Sequence, residues 1–180
     1  SLKSYDLSTR VAGNEKQSKK YWLIRRESFN LLREKIKDKH TAPFIDDLVI
    51  NPEHLSEFLP ELNAILAKYP SLIYTIAGHM GDGNFHIIPL MNITDEQQRK
   101  IIPLLSHEVF DLVFKYKGST SGEHNDGIVR SPYLKQMYGE NIYALFEQTK
   151  KIFDPLNIFN PGKKVNSSLD YSMKHIRTSW

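Results

Sequence analysis

Two β-rich runs, LIYTIAGH (72–79) and NFHIIPLM (84–91), are separated only by Met80-Gly81-Asp82-Gly83. A four-residue link with two glycines can do little but reverse the chain tightly, so the runs are expected to pair as an antiparallel hairpin. Whatever else the chain forms must pack around that hairpin.

The segments on either side read as helix and short strand. From about Ser18 to Asp38 the apolar residues Trp22, Phe29, Leu32 and Ile36 recur at helical spacing, which predicts a long amphipathic helix. PFIDDLVI (43–50) reads as a short strand ending at Asn51-Pro52, a helix-start signal, and a helix to about Lys68 follows. After the hairpin, Thr94-Asp95-Glu96-Gln97 opens a helix that runs to about Lys117. STSGEH (119–124) reads as a last short strand. The order strand, helix, strand, strand, helix, strand predicts an α+β fold of ferredoxin-like type: an antiparallel sheet with helices on one face. Helices near Pro132–Met137 and Asn141–Phe153 are additions to it, and residues 1–17 read as an extended arm.

Composition narrows the chemistry. The 180 residues include no Cys, which excludes disulfides, thiolate metal sites and a cysteine nucleophile, and fits a reducing compartment such as the cytoplasm. No run approaches the roughly 18 apolar residues of a membrane span. The net charge is +3, but residues 1–40 hold eleven Lys/Arg against five Asp/Glu, so the basic excess is local. It lacks the aromatic-basic interleaving of a nucleic-acid surface, and no nucleic-acid partner is expected.

The densest polar cluster is GHMGDGNFH, where His79 and His86 flank the tight loop. Folding the loop back brings two imidazoles together, an arrangement suited to Zn²⁺ or a similar metal, with Glu123 as the natural third ligand; a merely polar hairpin end is the competing reading. Three protein ligands leave a coordination position open for a substrate. In a simple ferredoxin-like order the last strand lies on the edge away from the hairpin, so Glu123 need not reach the histidines. His124, pointing the other way from Glu123 if the segment is extended, is a candidate general base or else a turn residue. Arg25 falls within the apolar stripe of the first helix, where it either pairs with a carboxylate or binds a substrate carboxylate. Of Asp46 and Asp47, one is expected to face inward as an arginine's structural partner. His40, His54, His107 and His175 are read as surface or packing residues.

Taken together, WLIRRESFNLLR, PFIDDLVI, GHMGDGNFHIIPL, GSTSGEHNDGIVR and FDPLNIFNPGKK resemble the C-terminal cap domain of FAD-linked oxidases in the vanillyl-alcohol oxidase superfamily. The pattern is nearest to members acting on D-lactate, glycolate and D-2-hydroxyglutarate. The resemblance covers about residues 18–165 and leaves 166–180 as a tail. It implies that His79, His86 and Glu123 are metal ligands and His124 the base. It also implies that Arg25 binds the substrate carboxylate and that Asn160 lies near the flavin ring. The implied reaction oxidises a D-2-hydroxy acid to the 2-oxo acid, with hydride passing to FAD and a divalent metal, Zn foremost, polarising the substrate.

Two departures qualify the carry-over. Many relatives read Glu-His-Gly where this chain has Glu123-His124-Asn125, so Asn125 is expected in a left-handed conformation. Ile45 and Ile88 stand where a second substrate carboxylate would need polar groups, which favours a lactate- or glycolate-like acid. No glycine-rich pyrophosphate loop occurs, so the chain is expected to be a fragment whose partner is a preceding FAD-binding domain, inactive alone. A membrane-associated electron acceptor would place the parent against the inner membrane. A metal-dependent hydrolase and a noncatalytic assembly module are the alternatives, although the H-E-x-x-H spacing of many zinc hydrolases is absent.

Overall fold

A computed structural model describes residues 11–36 and 38–178, and the chain divides into two compact units, residues 1–38 and 39–180. In the first unit, helix α1 spans Glu15–Lys35. It begins earlier than the Ser18 start expected because two residues cap it reciprocally. Asn14 Oδ1 accepts from the Gln17 N–H at 3.0 Å, and Gln17 Oε1 accepts from the Gly13 N–H at 2.9 Å. The arm expected over residues 1–17 therefore ends in helix, and residues 1–10 lie outside the described residues. Trp22 is 59% exposed and Arg25 is also exposed, its guanidinium carbon 5.7 Å from the Trp22 ring centroid. The semi-buried setting expected for Arg25 is not found, since Tyr21, Leu23 and Ile24 are exposed too and no second helix is present among the described residues of this unit.

The second unit is an α+β domain built on a four-stranded antiparallel sheet. Its strands are β1 (His40–Thr41), β2 (Leu48–Val49), β3 (Ile73–His79) and β4 (Asn84–Met91). β4 is the spine. β3 pairs along its full length, from Ile73 opposite Leu90 to His79 opposite Asn84, while β1 and β2 pair with its two ends. The hairpin expected from sequence is therefore present, with Met80–Asp82 forming a 3-10 turn closed by Gly83 at φ +68°.

Two expected strands are reduced. In PFIDDLVI only Leu48–Val49 is strand, because Asp47 adopts φ +68° and turns its side chain inward. Of STSGEH only Ser119 joins the sheet, exchanging two 2.9 Å hydrogen bonds with Val49. The residues after it direct their N–H groups to a carboxylate instead of a neighbouring strand.

Asn51 accepts from the Glu53 N–H at 3.1 Å and starts a 3-10 turn that leads into helix α2 (Leu55–Leu66). Asp95 caps helix α3 (Glu96–Lys115) through the Gln97 N–H at 2.8 Å, one residue beyond the Thr94 expected to open it. The two helices bring Phe58, Leu62, Leu105 and Val109 into one cluster with Phe85, Ile87 and Met91 of β4. The Phe58 and Phe85 rings lie 6.0 Å apart. Because strand side chains alternate, Asn84, His86 and Ile88 lie on the opposite face of β4 from this core. That division positions the site.

Helices α4 (Gly127–Arg130), α5 (Leu134–Phe153) and α6 (Leu169–Lys174) complete the unit. Gly139, at φ 77° and ψ 167°, breaks α5 into the two helices read from sequence. Helix α6 lies in the expected tail. Ser168 caps it through the Tyr171 N–H, and Met173 packs on the core.

Gly83 is required twice, by its positive φ and by crowding: a Cβ there would stand 1.7 Å from the Ile50 carbonyl oxygen, which accepts no compromise short of moving the strand. Gly83→Ala is expected to lower stability by about 2 to 4 kcal/mol. Urea unfolding followed by far-UV circular dichroism checks this, and an unchanged midpoint contradicts the turn geometry.

Candidate functional site

The hairpin register decides which histidines meet. Ala77 faces His86 and Gly78 faces Phe85 across the ladder, while His79 faces Asn84. Cross-strand partners share a face, and so do residues two apart, so His79 and His86 both lie on the face opposite the core. Their ring centroids are 6.0 Å apart.

Glu123 joins them from the loop after Ser119, resolving the doubt about whether it reaches. Its Oε1 lies 3.0 Å from His86 Nε2, 3.5 Å from His79 Nε2 and 3.5 Å from His124 Nε2. Three imidazole nitrogens thus converge on one carboxylate oxygen. His124 does not point away from Glu123, because the segment is wound around a carboxylate and is not extended. Its ring centroid is 5.2 Å from that of His86.

The carboxylate at the centre of that winding is Asp47, fully buried. Its Oδ2 accepts from the N–H groups of Gly122 at 2.9 Å, Glu123 at 3.1 Å and His124 at 2.9 Å, and from Ser121 Oγ at 3.1 Å. Its Oδ1 accepts from Asn84 Nδ2 at 3.1 Å and from the Glu123 N–H at 3.1 Å. Successive N–H groups curled around an anion form a nest. Only glycine permits it at position 122, where a Cβ would stand 2.7 Å from Asn84 Nδ2 and 2.8 Å from Val49 Cγ2. Asn125 takes φ +64°, the left-handed turn expected after His124.

Asp46 serves differently. Its Oδ1 is 3.0 Å from His86 Nδ1, with both side chains largely buried. An ionised carboxylate only accepts, so Nδ1 is the nitrogen that would donate to Asp46 were Nε2 to ligate a cation. A carboxylate behind an imidazole is the usual support of a metal-ligating histidine.

Asp47, His86, Glu123 and His124 place one ligand atom each within 4.8 Å of one another. Asp47 is the support and not a ligand, since both its oxygens are already engaged by donors. His79 is not in that group and is joined to it through Glu123 Oε1, 3.5 Å from its Nε2. A cation would satisfy these groups; without one, neutral imidazoles can donate Nε2–H to Glu123, and only His86, with a carboxylate at each ring nitrogen, would have to carry both protons. A tetrahedral cation with bonds of roughly 2.0 to 2.1 Å separates its ligand atoms by about 3.3 Å. The distances of His86 and His79 Nε2 from Glu123 Oε1, 3.0 and 3.5 Å, fit that spacing.

The other sequence candidates fall elsewhere. Asn160, at φ +46°, lines an open hollow of about 400 Å³ with Asp126, Phe146, Lys150, Lys163 and Lys164. Lys164 pairs there with Asp126, two residues after His124. Arg25 belongs to the first unit. Ile45 is fully buried in the core, which removes it as a substrate-facing residue and leaves Ile88, half-buried on the His86 face, to carry that reading. Among the histidines given no role, His54 packs on the Tyr116 ring and His107 lies 3.5 Å from Asp111.

Sequence reading missed Arg130 and Asn84. The inward carboxylate was anticipated, and the guanidinium beside it is that of Arg130, with Nη2 4.0 Å from Asp47 Oδ2. The available signal was an arginine following Ile128-Val129 one turn after the glycine-bracketed loop.

Burial alone would raise the Asp47 carboxyl, but the N–H groups of His124, Glu123 and Gly122 and the Asn84 amide outweigh it and hold the pKa down to about 2. A depressed folded-state value contributes stability above the ordinary 3.8 and loses it as pH falls toward 2. The wild type is expected to lose on the order of 2 kcal/mol from this group between about pH 4 and pH 2. Urea titrations across that range should lack this increment in Asp47→Asn, and identical acid limbs would contradict it.

Residues 2–164 match the family described as FAD linked oxidases, C-terminal domain. Among curated proteins, a D-2-hydroxyglutarate dehydrogenase of Escherichia coli K12 is 33% identical over 142 residues, covering 79% of this chain and 14% of the relative. A mitochondrial D-lactate dehydrogenase (cytochrome) of Arabidopsis thaliana is 31% identical over 147 residues, 82% of this chain and 25% of the relative. Glycolate oxidase subunit GlcD of Bacillus subtilis is 30% identical over 119 residues, 66% of this chain and 25% of the relative. The matched part of the chain thus corresponds to between a seventh and a quarter of each of these relatives. With one family matching nearly its whole length, the chain belongs to the C-terminal domain family of the FAD-linked oxidases.

Proposed function

We propose that this chain is the cap and substrate domain of an FAD-dependent oxidoreductase that oxidises a D-2-hydroxy acid to the 2-oxo acid. The observation that carries the reading is the convergence of His79, His86 and His124 Nε2 atoms on Glu123 Oε1 at 3.0 to 3.5 Å. Names borne by the relatives, dehydrogenases of D-2-hydroxyglutarate and D-lactate and a glycolate oxidase subunit, agree in substrate class. The cap domain spans about residues 18–165 and has a ferredoxin-like sheet. Support for the latter is the sequence of pairings from Ser119 through β2 and β4 to β3, all antiparallel.

In this reading His79, His86 and Glu123 hold a divalent cation, Zn²⁺ foremost, and Asp46 keeps His86 in the ligating tautomer. Bound FAD supplies the hydride acceptor, and the cation supplies Lewis-acid polarisation of the substrate hydroxyl. His124, its side chain more than half exposed beside the ligands, takes the hydroxyl proton at Nε2. Arg25 pairs with the substrate carboxylate, and Asn160 lies beside the flavin. The apolar Ile88 on the His86 face offers no partner to a second carboxylate, which favours a lactate- or glycolate-like acid.

The partner is an FAD-binding domain of the same parent chain, seated on the apolar segment that ends α5 and follows it. Phe153 is 80% exposed, Leu156 78% and Phe159 68%, a concentration of uncovered large side chains that marks an interaction surface. The relatives, four to seven times longer than the matched stretch, have the remaining chain to cover it. No described helix is long and apolar enough to cross a membrane. In this reading the parent works in the cytoplasm and reaches any membrane acceptor from the surface.

Metal content tests the reading. Chelator-free purified chain is expected to carry near-stoichiometric metal by mass spectrometry. The His79→Ala/His86→Ala variant should lose it while keeping its far-UV circular dichroism, since neither side chain belongs to the core cluster. A folded double variant with full metal content would overturn the ligand assignment.

A further inference from the structure

We propose that Asp47 and Arg130 form a positioning pair that holds Glu123 and His124 opposite His86. The pair deepens the metal-site reading above, and its geometry stands without a metal.

Both charges are buried, with Asp47 at 0% and Arg130 at 7% exposure. Burying an ion pair is costly, and apolar residues of similar volume stabilise a fold at least as well. What distinguishes this pair is where its hydrogen bonds land. Arg130 Nη1 donates to the Asp46 carbonyl at 2.7 Å, and Nη2 donates to the Asn125 carbonyl. Asp46 is the residue whose side chain holds His86, and Asn125 follows His124. Asp47 in turn takes the N–H groups of Gly122, Glu123 and His124. The arginine therefore fastens the carbonyls at both margins of the site, and the aspartate fastens the backbone between.

Asn84 extends the pair into the sheet. Its Nδ2 donates to Asp47 Oδ1 and to the Leu48 carbonyl at 3.3 Å, and on β4 it lies opposite His79 and two residues from His86. The loop bearing Glu123 and His124 is thus referenced to the strand bearing His86 through one carboxylate. A loop with a single bridge to the sheet, at Ser119, has no other regular pairing among the described residues to set its height over the histidines.

The test compares wild type, Asp47→Asn, Arg130→Lys and a core variant on α3, Val113→Ala, which lowers stability and removes no side-chain hydrogen bond to the loop. Residue-resolved amide hydrogen exchange is read on the metal-free chain, and Co²⁺ alone is titrated by its visible absorption. Asp47→Asn is expected to speed exchange at Gly122, Glu123 and His124 at least tenfold while β4 amides keep their protection. Co²⁺ affinity should fall about 10- to 100-fold with an altered absorption envelope. Arg130→Lys, which keeps the charge and loses the fork, should fall between, and Val113→Ala should change neither readout. Unchanged protection at these three amides in Asp47→Asn would overturn the pair. So would loosening that extends equally through β4, or a Co²⁺ affinity that follows stability alone, as Val113→Ala would reveal. If wild type takes up no Co²⁺, the metal reading fails and the exchange arm still decides the pair.

Discussion

The site rests on one buried carboxylate. Asp47 has no exposed surface, and an ionised group there is tolerable only because backbone N–H groups, a serine hydroxyl, an asparagine amide and a nearby guanidinium surround it. The donors come from three stretches of chain, residues 121–124, Asn84 of β4 and Arg130 of α4, so meeting the needs of one anion beside β2 draws all of them to a common point. The backbone strain at Asp47, φ +68°, belongs to the same arrangement. A strand conformation would send the side chain along the ladder's alternation instead of beneath the loop.

Strand β4 divides two kinds of work between its faces. Phe85, Ile87 and Met91 lock the hairpin to α2 and α3, while Asn84, His86 and Ile88 point the other way. The tight turn makes the spacing work: with four residues between the strands, His79 ends one strand on the face that His86 occupies on the other. Two imidazoles are then carried on a rigid, core-backed ladder, and the third and the carboxylate are delivered by a loop. Sites built on regular elements hold geometry better than those built on loops. The loop here gains comparable definition from its nest.

What sequence made legible follows from the range of the interactions involved. The hairpin, the Asn51 and Asp95 helix starts, the Gly139 break and the left-handed Asn125 are local, decided within a few residues by turn and cap chemistry. The histidine pair was legible for the same reason. PFIDDLVI misleads as a continuous strand because the rule of alternation knows nothing of the N–H groups arriving from residues 122–124, some 75 positions away. Arg130 carried only its position after Ile128-Val129 as a signal, because its hydrogen-bond partners are carbonyls, and any residue supplies a carbonyl. Helix α1 shows the converse: its apolar spacing is helical as read, yet periodicity alone does not state what surface, if any, covers Trp22.

The contrast between the two ends of the second unit bears on how a divided enzyme would be put together. Around Asp47 the carboxylate's own hydrogen bonds close within residues 47–124, so the ligand-bearing loop is held by contacts inside this unit. From Phe153 to Phe159 the reverse holds, and aromatic and aliphatic side chains stand in water, their backbone organised by the Asp154 carboxylate through the Ile158 and Phe159 N–H groups and by Lys150 at the Phe159 carbonyl. On the proposed function this asymmetry is the economical one. Geometry at a reacting centre tolerates little error and is best set before assembly, whereas docking requires only that apolar area be buried, and an edge of exposed hydrophobes supplies that driving force without dictating where a proton or a metal must sit.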